Sequence, residues 1–235
     1  MPRRLVLFLL FAVVLAVACI RLGFWQLSRL SQRRVRNRVV STRLAQPQVP
    51  LRELRPDSSS ALRKASISGA TDFDHEIILA ARTYQGSPGV DLFTPVRLPG
   101  SDTAVLVNRG WIYAPDGVSV DLRRWRESTT TFVGYAEILP GGRAAPPVGV
   151  LRRDEHVARQ LDFATVQSML PYPVSRLYVV ATVPDTSRPI GERVVRLSSP
   201  TLDEGPHLSY AIQWFAFAAI ALIGGTAVAI RNRAM

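Results

Sequence analysis

The last thirty-one residues, "GPHLSYAIQWFAFAAIALIGGTAVAIRNRAM" (205–235), decide how the chain is read. Leu208 to Ile230 carry no charged residue. At about 1.5 Å of rise per residue they reach about 35 Å, enough to cross a hydrocarbon core of about 30 Å with some tilt. The entrance to this segment is unlike the rest, because His207, Ser209, Tyr210, Gln213 and Trp214 crowd it with polar and aromatic groups. On a helix, His207, Tyr210 and Trp214 fall at i, i+3 and i+7 and share one face. Two uses of that face stand open. It can be the belt of Trp and Tyr that anchors any membrane helix at the headgroups. It can also be a site, since ionisable groups at this depth are costly and turn toward protein or a cavity. A neutral imidazole can ligate haem iron, and aromatic rings can pack on a porphyrin.

A second apolar run, "LVLFLLFAVVLAVACI" (Leu5 to Ile20), lies near the other end. It spans only about 24 Å by itself. It reaches full span by continuing past Arg21, which can snorkel, to Trp25 at the interface. "MPRRLVLFLLFAVVLAVAC" also has the makeup of a cleaved signal peptide, and "LAVAC" resembles a lipoprotein box with Cys19 as the acylated residue. After Cys19 the chain runs "IRLGFWQL", apolar and aromatic rather than a polar tether, which favours an uncleaved anchor. Cys19 is the sole cysteine of the 235 residues, so no intramolecular disulfide forms and cysteine usage does not identify the compartment.

The net charge of +11 belongs to the flanks of the membrane segments. Residues 1–52 hold ten Arg and no acid, whereas residues 53–235 hold 19 Lys and Arg against 18 Asp and Glu. A nucleic-acid binder would place its basic patch on the folded domain. The partner expected from the charge is therefore the lipid membrane, not nucleic acid. Arg29, Arg33 and Arg36 lie at i, i+4 and i+7, as if the first helix continued out of the bilayer with its arginines at headgroup level. "AQPQVPLRELRPDSSS" then breaks it.

From residue 62 the texture is that of short strands. "RKASISGATDF", "EIILAAR", "GVDLFTPVRL", "TAVLVNRGWIY", "TTFVGYAEI" and "SRLYVVATV" are rich in β-branched and aromatic residues, with turn residues bounding most of them. "LPGSD" predicts a hairpin loop, and "DFATVQSML" a helix capped by Asp162 and stopped by Pro171. "LPGGRAAPPVGVL" reads as a flexible loop. The expected domain is mainly antiparallel β, an α+β fold in which barrel-like closure would remove exposed edges. Strand alternation puts Arg109 and Trp111 on one face, where they could stack.

No nucleophile–base set, phosphate loop or metal-spaced cluster is present, and we expect no enzyme and no catalytic residues. His75 and His156 are far apart in sequence and read as solvated residues beside acids. Ala12 and Ala16, with Ala221, Gly225 and Ala229, put small residues four apart on both apolar segments. They suit close packing of the two helices together or of either onto another membrane protein.

"RLGFWQLSRL", "GVDLFTPVRL", "VNRGWI" and "HLSYAIQWF", in that order between two terminal anchors, resemble the surfeit locus protein 1 family of cytochrome c oxidase assembly factors. The resemblance runs from residue 21 to residue 215. It implies a bacterial plasma-membrane protein that assists delivery or insertion of haem a into the catalytic subunit of a haem–copper oxidase. The alternative is a structural protein that stabilises an assembly intermediate without touching cofactor. Implied partners are the oxidase catalytic subunit and haem a synthase. His207 matches the family's proposed haem ligand, which makes it the candidate iron ligand, with Tyr210 and Trp214 beside it. One departure is that the family carries Asn before this His, where this chain has Gly205 and Pro206. Pro206 suits the first turn of a helix, so a helix start is kept while a side-chain cap is lost.

The implied layout is a cytoplasmic N-terminus (1–4), a first span (5–25), an extracytoplasmic β-rich domain (26–206), a second span (207–230) and a cytoplasmic C-terminus (231–235). The arginines point the other way. Seven of them lie within residues 21–43, on the side the family places outside, and the positive-inside rule would keep them in the cytoplasm.

Overall fold

The computed structural model describes residues 2–141, 156–184, 186 and 192–233. The chain divides into a helical unit, reaching Ser41 and resuming at Thr201, and a β unit from Thr42 to Pro200. "LPGGRAAPPVGVL" lies, after Gly141, outside the described residues.

Helix α1 (Arg3–Ala45) begins two residues into the chain and continues well past the apolar run, as the arginine spacing predicts. Helix α3 (His207–Arg233) starts directly after Pro206. Both are long and apolar enough to cross a membrane. Val6, Leu7, Phe8, Leu10 and Phe11 of α1, with Ile212, Ile220 and Ile223 of α3, all stand at least 45% exposed. Water would penalise such a surface, and hydrocarbon does not.

The β unit is one nine-stranded mixed sheet. Its strands are β1 (Val49–Pro50), β2 (Lys64–Ser68), β3 (Ala70–Thr71), β4 (Ile77–Tyr84), β5 (Ser87–Arg97), β6 (Ala104–Tyr113), β7 (Thr131–Ile138), β8 (His156–Ala158) and β9 (Leu177–Ala181). The order is β1-β2-β7-β9-β6-β5-β4-β8, with β3 on β5. Antiparallel pairs dominate, but β1–β2, β4–β8 and β6–β9 are parallel. The parallel β6–β9 pair needs a crossover, and helix α2 (Phe163–Met169) lies on it. Its start is capped as expected: the Asp162 carboxylate accepts from the Thr165 amide at 2.9 Å. Closure into a barrel is not among the pairings of the described residues, whose order ends at β1 and β8.

Strand β6 explains why "AVLV" is an unbroken apolar run. Val105 and Val107 pack with Ile67, Phe132 and Val179 on one face, while Leu106 packs with Phe93, Val166 and Met169 under α2 on the other. A strand buried on both faces has no solvent side to mark with polar residues.

The expected stacking of Arg109 on Trp111 is not what forms. Leu92 pairs with Gly110 but Phe93 pairs with Asn108, so Arg109 is the extra residue of a β-bulge. The bulge breaks the alternation. Arg109 turns inward over the Phe73 ring, 5.4 Å from its centroid. Trp111 instead packs against Tyr84 and Tyr113, with centroids 5.4 and 6.4 Å away. Gly110 holds φ +124°, and a Cβ there would sit 2.2 Å from the Val195 carbonyl oxygen, so no other residue fits.

Candidate cofactor and partner sites

Within the helical unit, α1 and α3 run antiparallel along a seam of small residues. Ala16 and Cys19 of α1 and Ala218 of α3 are buried together, with Trp214, Ile20 and Ala221 around them. A Cβ on Gly225 would meet the Ala12 methyl at 3.3 Å, and one on Gly23 would meet the Phe215 ring at 2.7 Å. Of the two uses open for the small residues, the structure realises packing of the helices on each other. The Phe215 and Phe24 rings close the seam edge-on, 5.4 Å apart.

His207 sits at the mouth of this seam. Its Nδ1 lies 2.8 Å from Oε1 of Gln26, on α1. A carbonyl oxygen only accepts, so Nδ1 is the donor, and in a neutral ring the lone pair is then on Nε2. This is the arrangement by which a histidine is held for a metal, the far nitrogen fixed by an acceptor and the near one free. Gly205 holds φ +70°, the left-handed region that favours glycine, and a Cβ there would make only ordinary contact with the imidazole, 3.5 Å from Cδ2 and 3.6 Å from Nε2. The imidazole is half-buried and the helix around it apolar. An imidazole held in this way is chemically suited to ligate iron.

The shared aromatic face is only partly realised. Trp214 turns into the seam and meets Phe217 edge-on at 6.0 Å. Tyr210 stands 46% exposed. Gln26, the residue that orients the imidazole, is not conspicuous in the sequence. It sits inside the "RLGFWQLSRL" block, and its 181-residue separation from His207 hides the pairing.

The β unit holds two further constellations. Arg109, fully buried, donates from Nη2 to Glu76 Oε1 at 2.5 Å, from Nε to Thr94 Oγ1 at 2.7 Å and from Nη1 to the Trp125 carbonyl at 2.5 Å. Beside it, Arg196 donates to Glu127 at 2.8 Å and to the Arg109 carbonyl at 2.5 Å. Burial pushes the Glu76 carboxyl up, and the Arg109 charge opposes this. Each guanidinium here has a carboxylate counter-ion and the cluster ties strands together, while Glu76 Oε2 and Glu127 Oε1 are buried without a hydrogen-bond partner among the described residues.

The second constellation corrects the reading of two isolated histidines. Parallel pairing of β8 with β4 sets His156 opposite Ile77, and its ring stacks on His75 with centroids 6.2 Å apart. His75 Nδ1 meets Asp72 Oδ2 at 2.9 Å, and the Tyr172 hydroxyl donates to the same oxygen at 2.8 Å. Burial, then the neighbouring His75, lowers the His156 pKa. Burial would raise the Asp72 carboxyl, but the bonds from Tyr172 and His75 outweigh it and hold it low.

A SURF1-like protein of Rickettsia felis is 25% identical over 220 residues, covering 93% of this chain and 92% of the relative. One of Mycobacterium tuberculosis is 26% identical over 207 residues, covering 85% of this chain and 73% of the relative. The cytochrome oxidase assembly protein SHY1 of Saccharomyces cerevisiae is 31% identical over 121 residues, 48% of this chain and 31% of the yeast protein. The SURF1 family model matches residues 13–219 and so takes in the first helix from Val13 onward, the whole β unit and the His207 end of α3. This chain is a membrane-associated member of the SURF1 family.

Proposed function

We propose that this protein is an assembly factor for cytochrome oxidase that assists delivery or insertion of haem a into the catalytic subunit. Family membership and the likeness to a yeast oxidase assembly protein support the first part. The haem part rests on one observation, the 2.8 Å contact of His207 Nδ1 with Gln26 Oε1, which turns Nε2 away from Gln26 at the mouth of an apolar helix pair. Haem, when bound, would supply an iron that a neutral ring nitrogen can ligate. His207 would hold it, Gln26 would fix the tautomer, and Trp214 would give an apolar wall. A single imidazole ligand holds iron yet lets it go, which is what a handover requires. The protein acts without turning over a substrate, with the oxidase subunit and haem a synthase as partners in the bilayer. Both termini lie in the cytoplasm and the β unit outside it.

The outward exposure of Tyr210 favours a second reading, in which this helix end contacts an oxidase helix and no cofactor. One experiment separates the two. The full chain, purified in mild detergent from cells making haem a, should carry a haem with a red-shifted spectrum, and His207→Ala should lose it while staying in the membrane. Unchanged haem stoichiometry and spectrum in His207→Ala would end the ligand assignment.

A further inference from the structure

We propose that one face of α1, just beyond the membrane span, binds an anionic phospholipid, with the phosphate held by Arg38 and Ser31 and an acyl chain lying along Leu27. A groove of about 330 Å³ runs there, lined by Leu27, Leu30, Ser31, Arg34, Val35 and Arg38. These are positions i, i+3, i+4, i+7, i+8 and i+11, a single helical face.

The order of chemistry along that face is the order of an amphiphile standing in a leaflet. Nearest the span come Leu27 and the buried Leu30, then the Ser31 hydroxyl, then the guanidinium groups of Arg34 and Arg38 with Val35 between them. Side chains on a helix slant toward its N-terminus, which here is toward the bilayer. Arg38, about 16 Å beyond Leu27 along the axis, therefore reaches back toward the headgroup layer rather than away from it.

Charge decides the class of lipid. Arg34 is committed, since it forms a two-pronged pair with Glu204 at 2.8 and 2.9 Å. The Arg38 side chain is exposed and has no hydrogen bond or ion pair among the described residues, and those of Arg33 and Arg36 on adjoining faces are in the same state. Glu204 is the one acid lining the neighbouring groove of Arg34, Asn37, Arg38, Ser41 and Leu202, and residues 1–52 contain none. A choline headgroup would bring its own cation against these arginines; a net-negative headgroup would not. Val35, 58% exposed amid the arginines, is an apolar wall that water alone does not reward. The site requires only that α1 spans the membrane and holds for either orientation. Under the proposed orientation it gives the seven arginines of residues 21–43 a use that the positive-inside rule does not supply.

The test uses the full chain in dodecyl maltoside with graded phosphatidylglycerol or phosphatidylcholine, counting retained lipids by native mass spectrometry. Phosphatidylglycerol should be retained preferentially, less so at high salt. Arg38→Gln should weaken its retention about five-fold, the factor expected for one arginine at an anionic surface. Arg38→Lys should keep most of it, with unchanged helix content as the folding check. Equal retention of both lipids by the native protein, or full retention in a Ser31→Ala, Arg38→Gln double variant, would overturn the proposal. So would complete displacement by millimolar inorganic phosphate, which would make the site one for a soluble anion.

Discussion

Arg109 and Glu76 meet with neither side chain exposed to solvent, Nη2 2.5 Å from Oε1. A bulge in β6 makes this possible, and the Thr94 hydroxyl, which donates to Glu76 Oε1 at 2.5 Å, completes the group. Removing one ion from such a pair strands the other in a medium that cannot solvate it.

Arg109→Ala should therefore lower stability by about 3–5 kcal/mol. Joint replacement by Arg109→Met and Glu76→Leu should cost much less, because no charge is left unpaired. Thermal unfolding of the full chain followed by tryptophan fluorescence measures both. A normal melting temperature in Arg109→Ala, with oxidase assembly lost, would make Arg109 a partner contact instead.

Gly110→Ala should be more damaging than its size suggests. The backbone φ of +124° is strained for any side chain, and the Val195 carbonyl oxygen already occupies the Cβ position. A loss of about 3 kcal/mol or more is expected. A melting curve superimposable on that of the native chain would refute the bulge geometry.

The stacked histidines give a pH dependence whose sign is set by the lowered pKa of His156. A folded pKa below the unfolded value of about 6.5 means the unfolded chain takes up protons first as pH falls. The stability contribution is then complete above about pH 6.5 and lost as pH drops through the folded value. Asp72, also held low, acts in the same direction at lower pH. The melting temperature should fall as pH is lowered from 7 to 5, and His156→Phe should flatten that slope. An equal slope in the variant would remove His156 as its source.

Gln26→Leu should keep the protein folded and in the membrane yet weaken haem retention about ten-fold or more, as loss of an orienting partner does at metal-bound histidines. Absorbance of the purified variant during haem titration is the measurement. Haem retention equal to that of the native protein would detach Gln26 from the site.

Single cysteines at Ser59 and Ser101, in a Cys19→Ser background, test the orientation. Both serines are exposed in the β unit. A membrane-impermeant maleimide should label them in intact cells stripped of the outer barrier. Labelling only after lysis would place the β unit in the cytoplasm.

Composition and local pattern alone determined the two long apolar helices, six of the strand segments, the cap at Asp162 and the confinement of the excess charge to residues 1–52. Each of these is a property of neighbouring residues: apolar length, period-2 alternation and a carboxylate ahead of a helix. Long-range pairing decided the rest. The short strands β1 and β8, two and three residues long, carry no periodicity of their own and exist through pairing with β2 and β4. That pairing brings His156 onto His75, which the sequence leaves 81 residues apart. The bulge that inverts Arg109 depends on the register of β5 against β6, and register is not written in either strand alone. His207 was legible as a candidate because an imidazole beside an apolar span is conspicuous. What orients it was not, because a Gln near Trp25 is unremarkable until α1 and α3 pack and set the two side chains 2.8 Å apart.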